Sequence, residues 1–384
     1  MVLNVRGSGE NAHGMLRRLI EDIIRSKESF TLIPSYDVES IITAGIVARA
    51  FRSLDVNFVI AGEELKDRFK ERVIGINISL TCKKCVQVNE SPRESVERTK
   101  ETTIIRLKVI SDAFRRILSE YVIIPREIRY LILSSILSKY TPRALTTKIA
   151  NEHAKIIDEA LKEELIVVIP GPQLMGWGIT HVTNSLKYSI DIIIPKYFLS
   201  DIRVLDVKLS NEELVALTGL STDALMGNNY VIKDNWVVRD LMHLAYILIH
   251  AIDTLGVNAS ILAVNPARIT WIAQEFMNSL VYVKKVLDLI MNKQYERVGK
   301  VIRVHLVNIP ISKISLSVLS KIVRGLRILS RDELLALMTN SYTYVSLQEI
   351  KPELRSLIIS KAAKILGGYV ALKEEEFLEL GSKL

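Results

Sequence analysis

Short apolar runs alternate with amphipathic ones through the first ninety residues, and this alternation constrains the fold more than any other feature. "FTLIP" (30–34), "VNFVIA" (56–61), "ERVIGINISL" (71–80) and "KCVQVNE" (84–90) read as strands. "NAHGMLRRLIEDIIRSK" repeats apolar residues at Met15, Leu16, Leu19, Ile20, Ile23 and Ile24, which is a helical stripe. "ESIITAGIVARAFRSL" reads as a second helix. Strands separated by helices of this length imply βαβ units and a mainly parallel sheet.

Beyond residue 90 helices dominate. "SPRESVERTKETTIIRLKVISDAFRRILSEY" is read as a helix striped through Ile105, Val109, Ala113 and Leu118. "PREIRYLILSSILSKY" and "PRALTTKIANEHAKIIDEALKEE" each open with proline, which suits a first helical turn. "LIVVIPGP" is a strand meeting a turn, and "LKYSIDIIIPKYF" reads as extended. "SNEELVALT" is a short capped helix, and "VVRDLMHLAYILIHAIDTLG" a long one that stops at Gly256. A basic helix is expected from Arg268 to Arg303, overlapping the strand candidate "KVIRVHLVNI"; "YTYVSL" and "GYVAL" are further strands. The fold class is therefore α/β, with a second, smaller α/β domain from about residue 266.

With 384 residues and 49% hydrophobic content, the chain can fill two cores, and burial on that scale excludes a disordered protein. No basic-then-apolar leader pattern is read in "MVLNVRGSGENAHGMLRRL". "LMHLAYILIHAIDTLG" is broken by His243, His250 and Asp253, so no membrane span is expected. The expectation is a soluble protein of the cytoplasm. Cys82 and Cys85 are the two cysteines, too few for a structural zinc; free hairpin thiols are favoured over a local disulfide. "GPQLMGWG" lacks the Lys-Ser/Thr of a phosphate-binding loop and reads as a turn.

The net charge of +8 is unevenly spread. Residues 83–148 hold fourteen basic against seven acidic side chains, and residues 284–327 ten against two. Two such regions could follow a phosphate backbone; a solvated lysine-rich surface explains them equally well. In the second region Lys284, Lys285, Lys293, Arg297, Lys300 and Arg303 could supply charge, and Tyr282 and Tyr295 rings, for single-stranded DNA, although core or boundary tyrosines with solvated cations are the favoured reading.

One strand-to-helix turn carries the strongest motif. Ser35-Tyr36-Asp37-Val38-Glu39-Ser40-Ile41-Ile42-Thr43-Ala44 resembles the His/Asp-x-Asp-x-Asp-Gly-x-x-Ser/Thr-Ala motif of the DHH phosphoesterase superfamily, which includes the RecJ exonucleases. Asp37, Thr43 and Ala44 match, Glu39 is conservative, and Ser35 and Ser40 replace a ligand and the glycine. "SLKYSIDIIIP", "LSNEELVALT" and "VVRDLMHLAYILIHAIDTLG" resemble, in order, segments of archaeal RecJ-like proteins. The last of these sets His250 to Thr254 on the family's Asn-Ala-Cys-Gly-Arg. The resemblance implies a DHH-like domain over residues 1–190 with a mainly parallel sheet and flanking helices. A helical connector over 191–265 and a DHHA1-like domain over 266–384 follow.

The departures predict lost catalysis. Family members bind two divalent metals, usually manganese, through carboxylates and histidines. At the corresponding positions stand Ser35, Asp37, Glu39, Asn77, Asn89 and Lys139, and a lysine would oppose the cations. The expected metal and cofactor are none, and Asp37 and Glu39 become helix-capping carboxylates. The resemblance then implies a non-catalytic replication factor binding GINS and, through it, the MCM helicase. The alternatives are a manganese-dependent exonuclease or phosphodiesterase with a rearranged site, and a DNA-repair adaptor.

Overall fold

A computed structural model describes residues 11–69, 72–145, 148–195, 197–200 and 210–381; the polar N-terminal run 1–10 lies outside them. Contacts divide the chain into two units. The first comprises residues up to Ile132 together with Ser260–Pro266, and the second comprises Leu133–Ala259 and Ala267–Leu384.

In the first unit the elements run α1 (Ala12–Ser26), β1 (Phe30–Pro34), α2 (Val38–Ser53), β2 (Phe58–Ile60) and β3 (Val73–Ile76). After these come β4 (Cys85–Glu90), β5 (Ser95–Arg98), β6 (Thr102–Leu107), α3 (Ile110–Leu118) and the start of α4 (Arg126–Ser138). The sheet order is β2-β1-β3-β4-β6-β5, parallel throughout except for the β5–β6 hairpin. Register sets Leu32 beside Ile60 and Ile74, and Val88 beside Ile76 and Ile105. All five residues of β1 are buried, as a central parallel strand covered on both faces requires.

The stretch read as one helix over 91–121 is instead a hairpin followed by α3. Its run Thr102-Thr103-Ile104-Ile105 is β-branched and finds β4 as a parallel partner. Pairing with a distant strand outweighs a local helical stripe. Cys82 and Cys85 are also corrected: they form a disulfide across a Cα separation of 5.8 Å, tying the preceding turn to the first residue of β4.

The second unit continues with α5 (Asn151–Lys162), β7 (Ile166–Pro172), α6 (Val182–Tyr188), α7 (Asn211–Thr218), α8 (Thr222–Leu225), β8 (Met226–Ile232) and α9 (Leu241–Leu255). The short α10 (Ile261–Val264) belongs to the first unit, where it packs on α2. Then follow α11 (Ile269–Met291), β9 (Glu296–Val298), β10 (Val301–His305), α12 (Leu316–Gly325), β11 (Leu334–Met338) and β12 (Thr343–Ser346). The last elements are α13 (Pro352–Ser360), β13 (Lys364–Leu366), β14 (Tyr369–Leu372) and α14 (Glu374–Gly381). The smaller C-terminal α/β part has a mostly antiparallel sheet ordered β13-β14-β12-β11-β10-β9, in which β10 and β11 alone are parallel.

Ser210 caps α7 with a reciprocal capping box to Glu213, as the pattern "SNEELVALT" implies. Gly256 ends α9 with φ +59; a Cβ there would meet the Gly367 carbonyl at 2.7 Å, so the close approach of two backbones requires glycine. Of the run 186–198, expected to be extended, Leu186, Lys187 and Tyr188 end α6, and residues 189–195 and 197–198 have no ladder partner among the described residues. Its Ile192 and Ile194 are buried instead with Leu174, Leu186, Leu214 and Leu225. The basic helix also ends earlier than expected, at Met291; the β9–β10 hairpin carries Arg297 and Arg303. Among the described residues one helical run, Leu241–Val264, is long and apolar enough to cross a membrane, and 67% of its most apolar window is buried inside the protein.

Candidate functional site

The β1–α2 turn places the two motif carboxylates at a helix start. Asp37 is the N-cap of α2, with extended backbone at φ −130°, and its Oδ1 accepts the Ser40 N–H at 2.8 Å. The Ser40 hydroxyl donates to Asp37 Oδ2 at 2.6 Å. Asn77, just past β3 in a left-handed conformation at φ +53°, donates its amide to Ser40 Oγ at 3.0 Å. The Asn77 side-chain oxygen in turn accepts the Glu90 N–H at 2.7 Å, and its own N–H donates to Val88 O at 2.9 Å. The ends of β1, β3 and β4 are thus laced together through Ser40 and Asn77.

Glu39 turns the other way. It is 1% exposed and accepts the backbone N–H of Ser111 at 3.1 Å and its hydroxyl at 3.2 Å. A carboxylate at the N-terminus of α3 also interacts favourably with that helix dipole. Ser35 is buried, its N–H bound to Ile76 O at 2.9 Å. Asn89 lies on β4 with its side-chain oxygen buried and unpartnered among the described residues. Lys139 is exposed at the end of α4, in the second unit. Asp37 and Asn77 are therefore joined through Ser40, whereas Glu39 bonds Ser111 at the start of α3.

A pair of manganese ions does not fit this donor set. Divalent ions of this kind take several carboxylate or imidazole ligands each. Here both Asp37 oxygens hold Ser40, Glu39 holds Ser111, and Asn77 holds Glu90 N–H. Among the described residues no group of three or more His, Cys, Asp and Glu side chains converges as a metal site. Sequence reading missed Ser40 and Ser111 as the groups that occupy these carboxylates. Serine in the first turn of each helix was the available signal. Asp37→Ala should cost about 1 kcal/mol, the usual worth of an N-cap, read as a lowered urea midpoint.

The cations of the second basic region divide into two groups. Lys284 donates to the carbonyls of Phe198 and Leu199 at 3.1 and 3.3 Å, within the protein. Arg303, expected on a phosphate-tracking face, is 7% exposed and clamped by Glu296 and Glu374, over the Phe377 ring at 5.0 Å. Its two glutamates neutralise the guanidinium and hold it inside. Lys285, Lys293, Arg297 and Lys300 are exposed. Arg297 pairs with Glu333 and Lys300 with Asp332 at 3.4 Å, while Lys285 lies 5.4 Å from the Tyr282 ring.

No family model and no curated protein sequence matches the chain. Its fold is that of CDC45 from Entamoeba histolytica: the two superpose with a TM-score of 0.64 over 97% of each chain, at 10% identity. RecJ from Thermus thermophilus, solved with Mn2+, aligns with a TM-score of 0.47 and 10% identity. That alignment covers this whole chain and 54% of the RecJ chain. The chain therefore shares the α/β fold seen in that CDC45.

Proposed function

We propose that this chain is a non-catalytic, RecJ-type DNA replication factor that binds the GINS complex, and through it the MCM helicase, in the cytoplasm. The observation that carries the reading is the donor set around Asp37: among the described residues no group of three or more His, Cys, Asp and Glu side chains converges as a metal site. A two-metal phosphoesterase needs several such ligands for each ion; a scaffold needs only the helix that Asp37 caps. Sharing a fold with CDC45 supports the same reading by analogy. Single-stranded DNA is a further proposed contact, through Lys285, Lys293, Arg297 and Lys300. Such binding should weaken steeply with salt, because each neutralised phosphate releases counterions.

The test mixes the purified chain with GINS on a sizing column with mass detection, and assays the same fractions for manganese-dependent cleavage of single-stranded DNA. A joint complex without cleavage is the expected result. Cleavage abolished by Asp37→Ala would return the chain to the active phosphoesterases. DNA binding without any GINS complex would instead favour a repair adaptor.

A further inference from the structure

A cavity of about 300 Å3 lies within the second unit, lined by residues from the end of α4, from β7–β8 and from α8. Leu137, Ile149, Met226 and Met242 form its apolar wall. Tyr140, Lys148, Gln173, Asp223, Asn228 and Tyr230 interrupt that wall with rings and polar groups. None of them belongs to the Asp37 network.

Several lining groups are already committed. The Arg143 guanidinium binds Asp191, the Asn229 side-chain oxygen at 3.2 Å and the Gln173 carbonyl at 2.8 Å, so its charge is cancelled locally. The Tyr140 hydroxyl bonds His153 Nδ1 at 2.5 Å and accepts the Ala150 N–H at 2.9 Å, which leaves chiefly its ring to offer. Burial raises the Tyr230 pKa and keeps that phenol protonated. Three groups have no hydrogen bond or ion pair among the described residues: the Gln173 amide, the Asp223 carboxylate and the Lys148 ammonium. Gly227 makes room for the first, since a Cβ there would lie 1.8 Å from Gln173 Nε2.

We propose that this cavity binds one nucleotide unit, its base among Tyr140, Tyr230 and the amides, and its phosphate on Lys148. Ligand sites of this size combine an apolar wall with a few convergent polar groups. A base offers flat faces for tyrosine rings and an edge that alternates donors and acceptors. The Gln173 and Asn228 amides and the Asp223 carboxylate, which line the same cavity, supply donors and acceptors for such an edge, the carboxylate accepting from an exocyclic amine. The ammonium is exposed, where a phosphate would remain near solvent. The site goes beyond the scaffold reading and stands without the GINS contact.

Calorimetric titration of the full chain with the four 5′-deoxynucleoside monophosphates, in EDTA, tests this. Saturable binding tighter than about 1 mM is expected. Lys148→Ala and Gln173→Ala should each weaken it, the lysine by about tenfold, with unchanged melting curves. A fluorescein-labelled oligothymidylate then identifies the source. Displacement of the strand by mononucleotide assigns the site to single-stranded nucleic acid, and titration by mononucleotide without displacement assigns it to free nucleotides. No saturation, or binding that both substitutions leave unchanged, overturns the proposal.

Discussion

Asp253→Ala is expected to lower the unfolding free energy by about 3–5 kcal/mol, the largest effect of any single substitution considered. The carboxylate is fully buried near the end of α9. Its Oδ2 accepts the Ser315 hydroxyl at 2.9 Å and the Ser317 N–H at 2.8 Å. Its Oδ1 accepts the hydroxyls of Ser317 and Ser346 at 2.7 and 2.9 Å and the Gln348 amide at 2.8 Å. Burial raises its pKa, while the Ser317, Ser315 and Ser346 donors lower it. Alanine would leave the Ser317 N–H and the Ser315 hydroxyl without their acceptor in a dry interior, while Ser317, Ser346 and Gln348 keep bonds to one another and to the Ile249 carbonyl. Asp253→Asn should cost less, about 1–3 kcal/mol, because hydroxyls can rotate to accept from the new amide. One N–H, that of Ser317 or Gln348, would still face another donor. Urea unfolding of the three proteins would check this; equal stabilities would show that the network contributes nothing.

Acid should weaken the packing of α9 against α11 through His250. This ring is 4% exposed, packs on Phe276 at 5.5 Å between centroids, and has both nitrogens unpartnered among the described residues. Burial alone pushes its pKa down from 6.5 to about 4. Between those values the unfolded chain binds a proton that the folded chain refuses, so stability rises with pH across the window. The stabilisation is fully present above about pH 6.5 and is lost as pH falls toward 4, by about 3 kcal/mol in all. His243 adds to the same slope: burial lowers its pKa, with Asp240 opposing. His250→Leu should flatten most of the dependence in urea titrations between about pH 4.5 and 7. A slope unchanged by that substitution would assign the acid sensitivity elsewhere.

The parallel sheet was legible because its strands are short, apolar and separated by amphipathic helices, a pattern that few arrangements can bury. β1, β3, β4, α2 and α9 stand close to their expected positions, and Gly256 ends α9 as read. The segment 91–121 was misread because its β-branched run also fits a helical stripe, and only β4 decides between them. Arg303 was misread for a related reason. Its spacing among cations suggests a surface, while Glu296 and Glu374, seven and seventy-one residues away, turn it inward.

By itself the sequence determined the α/β class and the order of most elements, and it placed Ser35, Asn77, Asn89 and Lys139 where the motifs it resembles carry carboxylates and histidines. Those conclusions rest on residue identity and local periodicity, which survive without knowledge of neighbours. The tertiary structure alone decided what the remaining carboxylates do: Asp37 holds Ser40, Glu39 holds Ser111, and Asp253 gathers hydroxyls from two other elements. A buried charge takes its role from whichever donors the fold brings within about 3 Å, and donors seventy or more residues away leave no periodic trace along the chain.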